Sequence, residues 1–339
     1  MEKWECVLED MVMEFWKGKK VLITGVNGFV GSNLAKRLVE KKANVIGVKR
    51  DFIPNSNLIY SKTDKKITKI HGDLRDYETL ERAISQYNID TIFHLAAQAI
   101  VTTAKNSPAI TISSNILSTL NVLEAAKNIG GVERLIIASS DKAYGVQKEL
   151  PYSEESPLKG IYPYDVSKTC CDLIGQTYWN TYKLPVGITR FCNIYGEGDL
   201  NFSRIIPGSI SSFINGEKPI IRSDGKSIRE YLYIDDAVEG YLVFAEKLID
   251  KELQGKAINF GSGEKINVLN LIKKIKEIAN SDLNPTILGT ARAEIDEQYL
   301  DYSKAKEVLG WNPRVSLDEG LKKTFNWYKR YLNNNKSIQ

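Results

Sequence analysis

Histidine is nearly missing from this chain. Of 339 residues only His71 and His94 are histidine, beside four cysteines and three methionines. His94 sits inside an apolar run, where a core histidine is the expected reading, and neither histidine points to histidine catalysis or a metal centre. Cys6, Cys170, Cys171 and Cys192 lack metal-ligand spacing, and an adjacent pair is poorly disposed to chelate one ion. They give no disulfide framework either, so a reduced, cytoplasmic setting is expected. An excess of one charge is also lacking. The net +4 is too small to favour nucleic acid as a partner, though it permits a local basic pocket for an anion. No run is apolar enough to span a bilayer, so no membrane partner is expected. Residues 1–16 mix apolar side chains with Glu2, Glu5, Glu9, Asp10 and Glu14. That pattern predicts a short amphipathic helix packed on the body or on another subunit, rather than a signal peptide.

What is present is alternation. Lys20 to Thr24 reads as an apolar strand, followed by Gly25-Val-Asn27-Gly28-Phe29-Val30-Gly31 and a helix with Leu34, Leu38 and Val39 at helical spacing. Gly25 permits a tight turn, Gly28 admits a pyrophosphate to the backbone, and Gly31 lets helix and strand pack closely. The phosphates would then meet the free N–H groups of the helix N-terminus. Further strands are expected at 44–48, 69–71, 91–95 and 134–138, with helices at 79–87 and 116–128. Strands alternating with helices predict a doubly wound parallel sheet of the Rossmann type. Gly25, Asp73, Ala96 and Ser139 fall at strand C-terminal ends, where such sheets bind ligands.

The chemistry lies further on, in Ser139-Ser140-Asp141-Lys142 and Tyr164-Asp-Val-Ser-Lys168. Tyr and Lys four apart share a helix face. The Lys168 charge would lower the phenol pKa of Tyr164, letting a phenolate take a proton from a substrate hydroxyl, with Ser140 bonded to the same hydroxyl.

Those motifs, with His94-Leu95-Ala96-Ala97-Gln98, Arg190-Phe-Cys-Asn193-Ile-Tyr-Gly196, Arg229-Glu-Tyr-Leu-Tyr-Ile-Asp-Asp236, Asn259–Gly263 and Leu309–Pro313, resemble the extended short-chain dehydrogenase/reductases over nearly the whole chain. Within that family, Phe15–Lys19, Ser140–Lys142, Pro163–Lys168 and Gly198–Pro207 are most similar to CDP-glucose 4,6-dehydratases. The resemblance implies bound NAD(P), a nucleotide-sugar substrate, and loss of water by internal hydride transfer. It implies Asp141 as the acid at the sugar C6 oxygen and Lys142 on the C5 side. A lysine there acts as base only if burial or a neighbouring charge lowers its pKa. Cofactor contacts are implied for Leu95, Ala96, Ala97, Gln98 and Asn115, with Asp73 and Leu74 flanking the adenine. Asn193, Asn201 and Arg204 would meet the substrate. Arg229 and Arg292 would bind its diphosphate, as guanidinium suits, with Arg222 a further basic candidate.

Cofactor choice stays open. Where an NAD enzyme usually has an acid for the ribose, this chain has Lys49, Arg50 and Asp51. The two bases favour the 2′-phosphate of NADP, and Asp51 keeps NAD in play. The expected organisation is an extension at 1–18, a dinucleotide-binding domain at 19–190, and a smaller mixed α/β substrate lobe at 191–335 with segments returning to the sheet. The resemblance also implies a homodimer or homotetramer, built on helices at 112–129 and 167–182. The alternatives are a GDP-sugar 4,6-dehydratase, a UDP-sugar 4-epimerase, and a catalytically idle dinucleotide-binding scaffold.

Overall fold

The computed structural model describes residues 15–290 and 295–336. Residues 1–14 of the expected amphipathic helix lie outside them. The chain forms β1 (Lys20–Thr24), β2 (Asn44–Lys49), β3 (Thr68–His71), β4 (Thr91–His94), β5 (Arg134–Ala138) and β6 (Val186–Phe191), then β7 (Asn193–Tyr195), β8 (Ile220–Ile221), β9 (Ile228–Tyr233), β10 (Ala257–Phe260), β11 (Lys265–Asn267) and β12 (Thr286–Ile287). Seven of these make one sheet in the order β10–β6–β5–β4–β1–β2–β3. The registers from β3 across to β6 are all parallel. β4 and β6 are buried at every residue, as a parallel sheet covered on both faces demands, whereas the edge strand β3 buries only Ile70. The strand order reverses beside β1, and Gly25, Asp73, Ala96 and Ser139 all follow C-terminal strand ends. The Rossmann-type sheet expected from the sequence is therefore what the chain builds.

The chain divides into two units. The first holds residues 1–145, 156–190 and 238–258, the second 146–155, 191–237 and 259–339. Leu22, Ile46, Ile92, Leu135, Ile137 and Ile188 form the core of the first, with Leu80, Val122 and Cys171 packed on from its helices. Its long helix Pro163–Tyr182 begins with proline, whose fixed φ suits a first helical position, and ends at Lys183 in the left-handed region. In the second unit β9 runs parallel to β7 and antiparallel to β11, and β8 pairs with β12.

One expected helix differs in detail. The segment read as 116–128 is a wide π-type turn, Ser113–Leu117, running into an α-helix, Ser118–Ile129. Thr119 Oγ1 donates to the Asn115 carbonyl at 2.8 Å, and Cys171 Sγ approaches the same oxygen at 3.3 Å. Such turns cost regular hydrogen bonding and recur at functional sites. This one carries Asn115, which is buried.

Ahead of β1, Trp16 is fully buried. Its ring lies 5.9 Å from Phe93 of β4, and its indole N–H donates to the Glu246 carboxylate. Burial pushes the Glu246 carboxyl up to about 7. Trp16→Ala should cost about 3–5 kcal/mol of stability through the cavity it leaves. A urea titration reads this as a lower midpoint with an unchanged slope.

Candidate active site

The glycine turn admits no other residue at two of its three glycines. Gly25 has φ +69°, and a Cβ there would lie 2.8 Å from the Ala96 Cα. A Cβ on Gly31 would lie 2.3 Å from the Gly25 carbonyl oxygen. Gly28 is the N-cap of the helix Phe29–Glu40 and makes no side-chain cap. Phe29, Val30 and Gly31 form the first turn, so their N–H groups and the positive end of the helix dipole face the loop. Asn27 Nδ2 donates to the Asp51 carbonyl at 3.0 Å, tying the loop to the end of β2.

Around that end, Lys49 Nζ stands 5.6 Å from the centre of the exposed Phe52 ring. Arg50 Nε and Nη2 both donate to Asp51 Oδ2, at 2.9 and 2.8 Å. Asp73 receives Arg75 Nη2 at 2.6 Å, and this bonding holds its carboxyl below the usual carboxylate range. Leu74 is buried, and its carbonyl accepts from Asn121 Nδ2.

Beyond β5, Ser140 caps a 3-10 turn, Asp141–Tyr144. Its hydroxyl accepts from the Lys142 N–H at 3.2 Å and donates to Asp141 Oδ1 at 3.0 Å. Asp141 is buried and Lys142 half-buried. The helix Pro163–Tyr182 supplies Tyr164 and Lys168. Lys168 Nζ lies 6.0 Å from the Tyr164 ring centre and donates to the Ala138 carbonyl at 2.6 Å. Burial lowers the Lys168 pKa. Asp165 follows Tyr164, and its carboxyl is pushed up to about 6 by burial, opposed by Lys142 and reinforced by Asp141. The five candidate catalytic residues thus belong to one unit and cluster at the end of β5 and the start of one helix.

A buried row of hydrogen bonds joins the two motifs. The Leu95 and Ala96 N–H groups both donate to Thr24 Oγ1, at 3.1 and 3.2 Å. The Thr24 hydroxyl hydrogen is therefore directed to His94 Nδ1 at 2.9 Å, and Nε2 carries the ring hydrogen that goes to Thr119 Oγ1 at 3.0 Å. Thr119 donates on to the Asn115 carbonyl. The Asn115 side chain accepts from the Gln98 N–H at 2.7 Å and donates to Ser167 Oγ at 2.8 Å, and Ser167 donates to the Tyr164 carbonyl. Ala97 lies half-buried between these anchors.

In the second unit Asn193 Nδ2 donates to the Glu230 carbonyl at 3.1 Å. Asn201 Oδ1 accepts from Ser203, and Arg204 Nη1 pairs with Asp199 Oδ2 at 3.0 Å. Arg222 is exposed, 3.4 Å from the Ser203 carbonyl, and Arg229 Nη1 donates to the Ile228 carbonyl at 2.8 Å. Arg292 lies outside the described residues. Among those residues no group of three or more His, Cys, Asp or Glu could hold a metal ion, and no helix is long and apolar enough to cross a membrane.

A profile described as GDP-mannose 4,6 dehydratase matches residues 22–324. The chain belongs to this family. Its members form part of the extended short-chain dehydrogenase/reductases, the nucleotide-sugar dehydratases and epimerases. CDP-glucose 4,6-dehydratase of Salmonella typhimurium is 32% identical over 94% of this chain and 92% of its own length. UDP-glucuronate 4-epimerase of Thermodesulfobacterium geofontis is 31% identical, over 94% and 98%. The crystal structure of dTDP-glucose 4,6-dehydratase from Streptomyces venezuelae, with NAD bound, superposes with a TM-score of 0.84 at 27% identity, over 94% of this chain and all of that one.

Sequence reading in the terms of this dehydratase and epimerase family passed over Thr24, Thr119, Ser167 and Asp165. Thr24 directly precedes Gly25 and Asp165 stands inside the Tyr164–Lys168 motif, so position was their only signal. His94 is the core histidine expected, but it is also a polar link.

Burial, reinforced by the Lys168 charge, holds the His94 pKa down to about 3. The unfolded chain, with an ordinary value near 6.5, takes up this proton first as pH falls. The His94 contribution is therefore complete above about pH 6.5 and is lost progressively down to pH 3. At pH 5 the loss is about 2 kcal/mol. Comparing chemical denaturation of wild type and His94→Gln at pH 7.5 and 5.0 should show a smaller acid loss in the variant by that amount.

Proposed function

We propose that the protein is a nucleotide-sugar 4,6-dehydratase that converts CDP-glucose to its 4-keto-6-deoxy product with bound NAD(P). The observation that carries this is the buried Asp141, with Lys142, capped by Ser140 at the end of β5 and electrostatically coupled to the start of the Tyr164/Lys168 helix. A 4-epimerase needs only the serine, tyrosine and lysine. Elimination of water also needs an acid at one oxygen and a base at the neighbouring carbon.

The glycine turn fits a dinucleotide, since a Cβ on Gly31 would strike the Gly25 carbonyl and the helix N-terminus offers uncapped N–H donors. A dinucleotide held there would supply a hydride acceptor and donor, the redox chemistry that an internal oxidation and reduction of the sugar needs. Gly25, Asn27, Gly28 and the first helical turn would hold its pyrophosphate, and Leu95 to Gln98 with Asn115 would line its other side. Lys49 and Arg50 favour NADP by charge. Asp51 keeps NAD as the alternative, supported by the NAD-bound Streptomyces relative.

Tyr164, with Lys168 buried beside it, would take the proton of the C4 hydroxyl while Ser140 steadies that oxygen. The ketone at C4 then acidifies C5. Lys142 would remove that proton, and Asp141 would give its proton to the departing C6 hydroxyl, so one water leaves and charge balances. Asn193, Asn201, Arg204, Arg222, Arg229 and Arg292 are the substrate candidates. Arg204, already paired with Asp199, would have to exchange that partner for phosphate. The epimerase relatives support a UDP-sugar 4-epimerase as the second reading.

Incubation with CDP-glucose, GDP-mannose, dTDP-glucose and UDP-glucose in turn, followed by mass spectrometry, tests the reading. Loss of one water from CDP-glucose without net change in cofactor oxidation state is expected. An unchanged mass with inverted C4 would replace the reading by the epimerase. Asp141→Asn should slow water loss by about 10²–10⁴-fold. Mass spectrometry of the nucleotide released on denaturing the protein separates NADP from NAD.

We also propose a homodimer and a cytoplasmic setting. Leu117, Leu120 and Leu173 stay exposed on the two neighbouring helices Ser113–Ile129 and Pro163–Tyr182, an apolar row that a second copy would cover. Leu120→Glu with Leu173→Glu should turn a dimer into a monomer in sedimentation velocity. An unchanged dimer would move the interface elsewhere.

A further inference from the structure

We infer that Arg190, bound to Asp172 and Tyr144, is a positioning residue that holds the Asp141–Lys142 turn at a fixed distance from the redox pair, and so governs water loss rather than the first oxidation. The inference rests on the dehydratase reading above.

Arg190, near the end of β6, is buried, and so is its partner Asp172. Its Nε and Nη2 donate to Asp172 Oδ2 and Oδ1 at 2.8 and 2.9 Å. The remaining terminal nitrogen, Nη1, donates to the Tyr144 hydroxyl at 2.8 Å, with the guanidinium carbon 4.9 Å from that ring's centre. The Asp172 carboxylate also accepts from Gln176 Nε2 at 2.7 Å. A buried ion pair is weak evidence for stability, because removing both charges from water offsets their attraction. What a bidentate guanidinium supplies is fixed geometry.

Tyr144 closes the 3-10 turn that begins with Asp141. Asp172 stands one helical turn beyond Lys168, so both lie on the same helix face. Thr169 on that helix donates to the Ala143 carbonyl at 3.0 Å, a second grip on the same turn. Tyr164 and Lys168 have separate anchors, the Asn115–Ser167 link and the Ala138 carbonyl. Ser140 follows Ser139, whose N–H donates to the Thr189 carbonyl at 2.9 Å, so loosening Tyr144 would shift Asp141 and Lys142 while leaving Ser140 and the redox pair in place. One ångström of misplacement costs on the order of a hundredfold in rate.

The test uses Tyr144→Phe in the cofactor-loaded enzyme with CDP-glucose in single turnover. Stopped-flow absorbance of reduced nicotinamide follows the oxidation, and quenched samples weighed by mass spectrometry follow water loss. We expect oxidation at the wild-type rate and water loss roughly a hundredfold slower, so that reduced cofactor accumulates. Arg190→Lys, which loses the fork, should do the same. If both stages slow together, or neither changes, the inference is overturned, and Tyr144→Phe keeps the test open should Arg190→Lys not fold. Wild-type enzyme that loses no water with CDP-glucose would instead remove the dehydratase reading for this substrate, and the inference with it, before any variant is compared.

Discussion

Lys168 carries its amine into a place where almost none of its surface meets water, and burial there lowers its pKa. Its ammonium gives one hydrogen bond to the Ala138 carbonyl, which fixes the start of the Pro163–Tyr182 helix against the end of β5. The same charge helps to keep His94 neutral. A neutral His94 can accept at one nitrogen and donate at the other, and only in that state can it stand between two threonines. Cys171, three residues on, stays a buried thiol whose pKa burial raises. Burial thus sets the protonation of the histidine, the Lys168 charge reinforces it, and the same ammonium fixes the position of the helix.

The glycine turn imposes the second constraint. With Gly31 against the Gly25 carbonyl and Gly25 against Ala96, no side chain stands between β1, the end of β4 and the first helix at these two contacts. The C-terminal end of the sheet then offers peptide N–H groups, rather than side chains, to an anion. The redox pair and the acid–base turn are carried by the neighbouring strand end and one helix. The first unit therefore holds both the dinucleotide turn and the candidate chemistry, and the second holds the candidate substrate side chains.

Much of this was legible in the sequence because it is local. Short β-branched runs separated by amphipathic stretches gave the sheet, and Gly25, Gly28 and Gly31 gave the turn at its switch point. Tyr164 and Lys168 follow from helical spacing. What was hidden is what depends on tertiary neighbours. Arg190 and Asp172 are 18 residues apart on different elements, and no periodicity pairs them. Arg50 and Arg204 read as basic groups open to a phosphate, yet each has a carboxylate close by in the chain. Charge content is visible in a sequence, but the partner chosen is not. The wide turn at Ser113–Leu117 was likewise invisible, since Asn115 is drawn inward by Gln98 and Ser167 rather than by its own neighbours.

The row running from Thr24 through His94 and Thr119 to Asn115, and on through Ser167 to the Tyr164 carbonyl, has a polarity. Each hydroxyl has a single hydrogen to give, and each gives it in the same sense along the row. Reversing any one member would set two hydrogens, or two lone pairs, face to face among buried groups. The tolerance of these positions to substitution is thus a property of the row as a whole. Across descendants of this chain, Thr24, His94, Thr119, Asn115 and Ser167 should drift in concert or stay put, even though no two of them are adjacent in sequence.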